Sequence, residues 1–206
     1  MRSMFIAAAC LAGIAIPVVA QQAMQVPGAR DATRVKAGSY KLDSNHAQVA
    51  WRVNHLGFND YFGLFGSPTG TLTLDPAKPA AATVSIELPI AMIGTSNEKL
   101  TGHLLGADFF DAAKFPTATF KSTSVKVEGE TAKVTGNLTI KGVTKSVVLD
   151  VEFSGAGAAP PQAGGRDTVG FHAETKIKRS DFGISYGIPF VPDEVPLEIS
   201  AAFERQ

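Results

Sequence analysis

The stretch TVSIELPI, residues 83–90, contains the pattern on which the fold depends. Its apolar residues Val84, Ile86, Leu88 and Ile90 occupy every second position. Successive side chains of a strand point to opposite faces, so this spacing predicts a strand with one apolar and one polar face. The stretch should therefore border a core on one side and water on the other.

The same alternation recurs on both sides of this stretch. The other runs are Val49, Trp51 and Val53; Leu72 and Leu74; Ala118 and Phe120; Val134, Leu138 and Ile140; Val147, Leu149, Val151 and Phe153; Val169, Phe171, Ala173 and Ile177; and Val195, Leu197, Ile199 and Phe203. Short turns such as Glu128-Gly129-Glu130 and Lys141-Gly142 indicate antiparallel neighbours. We predict an all-β fold of about eight antiparallel strands, which must either close as a barrel or pack as a sandwich.

One segment, TSNEKLTGHLLGADFFD at 95–111, departs from the alternation. Thr95 and Glu98 have the spacing of a capping box, and Leu100 and Leu104 share one helical face. Gly106 stands where such a helix should end. The segment predicts one short helix, placed after the fourth strand.

The amino terminus has the features of an export signal. Arg2 is followed by an apolar run from Met4 to Ala15 and by the small residues Val18-Val19-Ala20. The run is shorter than the roughly 20 residues of a membrane-spanning helix, so a cleaved signal peptide at 1–20 is favoured over a membrane anchor. Cys10 lies within the signal, so the mature chain would have no cysteine.

The chain after the predicted signal peptide divides into a short N-terminal segment and one domain. Residues 21–38 are polar and unpatterned, which suits a tether or a strap, and the domain follows at 39–206. The stretch SGAGAAPPQAGGR at 154–166 is rich in glycine, alanine and proline, which predicts a long mobile hairpin tip. Strand alternation continues on both sides of that tip, so we expect a single domain.

Composition narrows the classes of partner. The chain has 45% hydrophobic residues, and its 19 basic residues balance its 19 acidic residues. No basic stripe or polybasic run stands out, which argues against nucleic acid, anionic lipid and stable membrane insertion. We expect a globular protein whose partner is not recruited by charge.

The stretch HLGFNDYFGLFG at 55–66 crowds rings among glycines and fits neither a helical nor a strand pattern. In a barrel of about eight strands, such a flexible segment would lie at one end. Its rings Phe58, Tyr61, Phe62 and Phe65 could plug the barrel or form the wall of a ligand pocket. We favour the pocket wall.

Motifs that suggest catalysis have simpler structural explanations. DFFD at 108–111 could be a pair of catalytic carboxylates, but it is more typical of a loop that follows a helix and buries its rings. Asp181-Phe182-Gly183 has no kinase context and predicts a turn. Asp43, Ser44 and His46 contain the residue types of a triad but have no nucleophile elbow. The histidines fit no local zinc spacing; they are His46, His55, His103 and His172.

Several motifs in a fixed order resemble one family. The motifs are Val49-Ala50-Trp51-Arg52-Val53, His103-Leu104, Asp108-Phe109-Phe110-Asp111, Val134-Thr135-Gly136-Asn137-Leu138-Thr139 and Arg179-Ser180-Asp181-Phe182-Gly183. Over residues 39 to 204 this order is similar to that of YceI-like proteins. The resemblance implies a lipocalin-like antiparallel barrel, exported to the periplasm, whose apolar cavity holds a polyisoprenoid or similar long-chain lipid.

The resemblance and the apolar pattern together predict a binding site without catalytic residues. The predicted ligand-binding residues are Trp51, Phe58, Tyr61, Phe62, Phe65, Ile86, Leu88, Leu104, Phe109, Phe110, Phe120, Phe171 and Phe182. Polar contacts to a head group would come from His46, His55, Arg52 and Arg179. No cofactor is required, although the ligand could be a prenyl quinone.

Two other functions stay open from the sequence. An enzyme acting on a lipid or quinone in the same cavity would need a pocket side chain with a strongly perturbed pKa. A structural envelope protein with a filled barrel would have no cavity. An exposed edge strand could also pair two barrels as a homodimer.

Overall fold

The structure is a computed structural model that describes residues 26–206. The predicted signal peptide at 1–20 lies outside the described residues. The strands are β1 (Gly38–Leu42), β2 (Gln48–His55), β3 (Asn59–Gly66), β4 (Thr69–Leu74), β5 (Thr83–Pro89), β6 (Ile93–Gly94), β7 (Thr117–Glu128), β8 (Thr131–Ile140), β9 (Val143–Ala158), β10 (Asp167–Lys178) and β11 (Glu194–Arg205). The α-helix is α1 (Glu98–Leu105), and short 3-10 turns include Ala32–Arg34 and Arg179–Phe182.

The strands form a closed antiparallel barrel with eight positions. β1 and β2 share one position, because β11 pairs with β2 at Leu197↔Trp51 and with β1 at Phe203↔Leu42. In the same way β3 and β4 form one bent strand, and β5 and β6 another. The β1–β11 pairing closes the sheet, which decides between barrel and sandwich. The predicted all-β, lipocalin-like barrel is confirmed.

The single predicted helix exists, but its place and its cap differ from the prediction. α1 follows β6 rather than the fourth strand, because the sequence did not identify every strand before the helix: β3 was not recognised as a strand, and β6 has only two residues. Its N-cap is Asn97, whose side chain accepts the Leu100 N–H at 3.1 Å. The Thr95 hydroxyl instead bonds the Thr101 hydroxyl at 2.9 Å. Gly106 ends the helix as predicted.

The ring-rich stretch at 55–66 is not a loose segment. Residues 59–66 form β3, in which Tyr61, Gly63 and Phe65 occupy alternate positions and the first and last line the interior. The alternation was hidden in the sequence because Gly63 stands where an apolar side chain was expected. Gly63 pairs directly with Trp51, and a Cβ atom at 63 would collide with the indole ring.

The glycine-rich stretch at 154–166 is also more ordered than predicted. β9 continues through residue 158, and a 3-10 turn follows at Pro161–Ala163. Its glycines leave room for the chain that precedes β1: a Cβ atom at Gly157 would overlap the Pro27 carbonyl oxygen. The small residues here accommodate a crossing segment, and the hairpin tip itself is limited to 159–166.

The two ends of the barrel differ. We call the end where β2 stops, and where α1 and residues 179–193 lie, the upper end; the end where β1 begins is the lower end. One buried cluster around Trp51, Leu104 and Phe182 lies toward the upper end, and a second around Tyr40 and Phe203 lies toward the lower end. Among residues 26–206, no helix is both long and apolar enough to cross a membrane.

Candidate functional site

A cavity of about 1020 Å³ occupies the interior of the barrel. Most of its wall consists of the inward residues of the strands, so the period-two alternation that builds the barrel also makes the cavity apolar. The volume is at the upper edge of the range of about 300–1,000 Å³ typical of small-molecule sites. A filled barrel, one of the alternatives left open by the sequence, is therefore excluded.

Rings from the α1 region cover the upper part of the cavity. The Phe110 ring meets the Phe65 ring edge-on, with centroids 5.5 Å apart. Phe109 also lines the cavity and packs against Tyr186, with ring centroids 5.3 Å apart. The DFFD motif is thus the predicted loop that follows a helix and packs its rings. Of its two carboxylates, Asp108 lies 3.0 Å from His103 Nε2.

Arg179 holds the segment 184–192 in place at the upper end. Its guanidinium is buried and donates to the carbonyl oxygens of Pro192, Ile184, Tyr186 and Val191, at 2.8 to 3.2 Å. These bonds use four of the five guanidinium N–H groups. Burial lowers the pKa of Arg179. Although it lines the cavity, its donors are committed to the backbone rather than to a ligand's phosphate.

Asp193 completes this arrangement. Its carboxylate accepts the Ser180 N–H at 2.8 Å and the Ser180 hydroxyl at 2.7 Å. These hydrogen bonds favour the charged form and lower the pKa of Asp193. The 3-10 turn at Arg179–Phe182, which contains the Asp181-Phe182-Gly183 motif, is thereby fastened to the start of β11. The predicted turn is confirmed, with Gly183 in the left-handed region.

Most of the predicted ligand-binding residues line the cavity. They are Trp51, Tyr61, Phe65, Ile86, Leu88, Leu104, Phe109, Phe110, Phe120, Phe171 and Phe182. They come from both buried clusters, so the cavity runs along the barrel rather than sitting at one end. Of the head-group candidates, His55 also lines it, beside the uncharged polar residues Asn59 and Asn97 at the upper end.

Four predicted residues lie outside the cavity. Phe58 is 85% exposed in the turn between β2 and β3, and Phe62 is 64% exposed on the outer face of β3. Arg52 lies on the outer face of β2, 3.4 Å from Asp60. His46 Nδ1 is 2.6 Å from Asp43 in an exposed turn. Strand alternation explains Arg52 and Phe62, since each neighbours an inward residue.

The sequence also suggested metal binding and residues with perturbed pKa values. Among residues 26–206, no group of three or more histidine, aspartate or glutamate side chains could hold a metal ion. Two titratable groups on the cavity wall have shifted pKa values: Arg179, lowered by burial, and Tyr61, lowered by its hydrogen bond with Ser96. Arg179 donates to backbone carbonyls of segment 184–192, and the Tyr61 hydroxyl hydrogen-bonds Ser96 in the connection between β6 and α1.

The sequence reasoning missed two parts of the site. Gly63 allows the Trp51 indole to lie against β3. The sequence contains this glycine and the chain's only tryptophan, but their pairing depends on the register of β2 and β3. Ala32 and Val35, from the predicted tether, also line the cavity. No pattern in the polar segment 21–38 pointed to them, because only two apolar residues make the contact.

The closed eight-position barrel and its apolar interior define the protein as a lipocalin-like cavity protein. Within this class, residues 40–203 match the YceI-like domain family. The chain is 42% identical over 172 residues to Protein YceI of Salmonella arizonae, an alignment that covers 82% of this chain and 88% of the relative. The chain therefore belongs to the YceI-like family.

Solved structures share the fold. BcnA of Burkholderia cenocepacia has 27% identity and a TM-score of 0.70, covering 78% of this chain and 98% of BcnA. The YceI protein of Campylobacter jejuni has 33% identity and a TM-score of 0.65, covering 74% and 90% of the two chains. A polyisoprenoid-binding domain from Saccharophagus degradans, at 15% identity and a TM-score of 0.60, covers 83% and 100% and shares the fold alone.

Proposed function

We propose that this protein binds an isoprenoid or similar long-chain lipid in its barrel cavity, and that it stores, shields or carries this lipid after export to the periplasm. The observation that supports the proposal is the apolar cavity of about 1020 Å³. Family membership is consistent with it, as is the fold shared with the polyisoprenoid-binding domain of Saccharophagus degradans. The predicted signal peptide supports export.

The free energy of burial in this cavity favours an apolar lipid chain over a charged ligand. Each buried CH₂ contributes about 0.8 kcal/mol, so a few isoprene units bind well without ionic contacts. Two charged residues line the cavity, and both have partners: Arg179 bonds backbone carbonyls, and Glu130 pairs with Arg30 at 2.6 Å. A neutral head group, as in a prenyl quinone, fits this wall better than a phosphate does.

The polar residues suggest which way the ligand lies. His55, Asn59 and Asn97 line the cavity at the upper end, where their side chains can hydrogen-bond an uncharged head group. Toward the lower end, the wall includes Leu72 and Phe153, and its polar residues include Thr83, Thr131 and Glu130, whose carboxylate is paired with Arg30. We place the head group at the upper end, beside the imidazole and amide side chains, with the chain extending toward the lower end.

The direct test is to identify what the protein carries. The mature protein is purified from the periplasm without detergent and denatured, and its organic extract is analysed by mass spectrometry. We expect a stoichiometric isoprenoid. An empty extract, together with no uptake during incubation with prenyl lipids, would contradict the proposal.

A pair of variants makes this test specific to the cavity. Ala173→Phe places a ring at a buried residue of the cavity wall, and the extract should lose most of its lipid. Val148→Phe adds the same ring on the outer face of β9, where Val148 is 44% exposed, and should leave the lipid content unchanged. Equal loss from both variants would mean that the lipid is not held in the cavity.

A further inference from the structure

The segment that precedes β1 is held against the barrel by contacts along its length. Ala29 and Ala156 of β9 form a bridge with two backbone hydrogen bonds, of 3.1 and 2.8 Å. Here β9 extends beyond the start of β8, whose first residue pairs with Glu152. Ala29 thus takes the place of β8 on that edge. We call residues 27–37 the strap.

Charged contacts fasten the strap at both ends. The Arg30 guanidinium lies 2.6 Å from Glu130, in the β7–β8 turn, and 2.6 Å from Glu152 in β9. Near the other end, Lys36 lies 2.9 Å from Asp167. The buried Tyr40 hydroxyl donates to the Lys36 carbonyl oxygen.

The strap passes along the lower end of the barrel and contributes to the cavity wall there. It leaves β9 at Ala29 and joins β1 at Gly38, and β9 and β1 are separated by β10 and β11 on the shorter way around. Between these points, Ala32 and Val35 line the cavity. Val35 also packs against the buried cluster around Tyr40. The strap lies outside the residues 40–203 that match the family.

We propose that the strap is the floor of the cavity and sets the longest chain that the protein accepts. The inference rests on the proposed function. With the head group at the upper end, the tail of the chain meets Ala32 and Val35. A longer chain fits only if the strap leaves the lower end, so the strap makes the protein selective for chain length.

Chain-length selectivity is measured by titrating farnesol, geranylgeraniol and solanesol while following the fluorescence of Trp51, which lines the cavity. The wild type should bind the shorter alcohols and reject solanesol. Arg30→Glu turns two ion pairs into repulsions with Glu130 and Glu152, and should improve solanesol binding about tenfold relative to geranylgeraniol.

A second variant displaces the strap without changing charge. Gly157→Ala puts a Cβ atom into the Pro27 carbonyl oxygen and should shift selectivity in the same direction. Gly170→Ala, in the neighbouring β10, meets only ordinary contacts and is its control. Arg166→Ala is the control for Arg30: it removes one ion pair, to Glu204, from an arginine of similar exposure outside the strap.

Cleavage by trypsin after Arg34 reports strap release independently of any ligand. We expect faster cleavage in Arg30→Glu and Gly157→Ala than in both controls. If the strap is released and the chain-length profile stays that of the wild type, the strap is not the floor. If the wild type binds none of the prenyl alcohols, the proposed function fails instead, so the two failures are distinguishable.

Discussion

Inward-facing glycines determine the orientation of the large side chains inside this barrel. Gly63 pairs with Trp51 across β2 and β3, and Gly136 leaves room for the Phe120 ring in the same way. A ring that lies over a glycine stays close to the sheet, because no Cβ atom lifts it away. Trp51 and Phe120 both line the cavity. At the residue scale, therefore, the missing side chain at 63 or 136 helps to keep the interior open.

A methyl group at position 63 tests this role. We expect Gly63→Ala to push the indole toward the cavity, to lower the free energy of unfolding by about 1–3 kcal/mol, and to weaken lipid binding. The Trp51 emission spectrum reports the movement of the indole, and denaturant unfolding measures the free energy of unfolding. Gly66→Ala lies in the same strand, where a Cβ atom meets nothing within 4 Å, and should change stability by no more than about 0.5 kcal/mol. Equal effects at 63 and 66 would argue against the packing explanation.

At the scale of elements, the upper end is built from pieces that are not strands. α1, the DFFD loop and residues 184–192 pack together through the rings of His103, Phe109 and Tyr186. The Lys141 ammonium joins them by donating to the Ala107 carbonyl oxygen at 3.1 Å. Segment 184–192 lies outside regular secondary structure, and Arg179 supplies hydrogen bonds that a strand partner would otherwise provide.

Replacing Arg179 measures what this residue contributes. Arg179→Met keeps much of the side-chain bulk but leaves the carbonyls of Ile184, Tyr186, Val191 and Pro192 without their donor. We expect the free energy of unfolding to fall by about 3 kcal/mol, because unsatisfied buried acceptors cost about 1–3 kcal/mol each and some will find water. Chemical denaturation checks this value.

Arg52→Met is the matched control, since Arg52 is exposed and its 3.4 Å contact with Asp60 is a surface pair. Its effect should stay within about 1 kcal/mol. A comparable loss in both variants would show that Arg179 does not organise the segment.

The whole molecule is a closed barrel around space that its own side chains do not fill. Closure gives each of the eight strand positions a neighbour on both sides, and the cavity leaves apolar surface without packing partners. A ligand that fills this space adds contacts which the empty protein lacks. Ligand binding and stability are therefore coupled, since the unfolded chain offers no such cavity.

This coupling predicts that removal of the lipid lowers the melting temperature. Ligand at about 100 times its Kd contributes about 2.7 kcal/mol, which corresponds to roughly 5–10 °C for a domain of this size. Calorimetry of delipidated protein with and without geranylgeraniol measures the shift. Ala173→Phe, with less room in the cavity, should show a smaller shift than Val148→Phe. An equal shift in both would place the bound lipid elsewhere.

The sequence by itself determined the all-β class and most of the cavity wall, because inward residues such as Ile86 and Phe171 are recognisable from the period-two alternation. The choice of a closed barrel over a sandwich needed the β1–β11 pairing. The sequence did not reveal β3, since Gly63 replaced the expected apolar residue, nor the outward positions of Phe58 and Phe62. Arg179 was predicted to contact the ligand, because the sequence does not show that its guanidinium donates to backbone carbonyls. The strap needed the tertiary structure most of all: its contacts join Arg30 to residues about a hundred positions away, and only the closed fold brings them together.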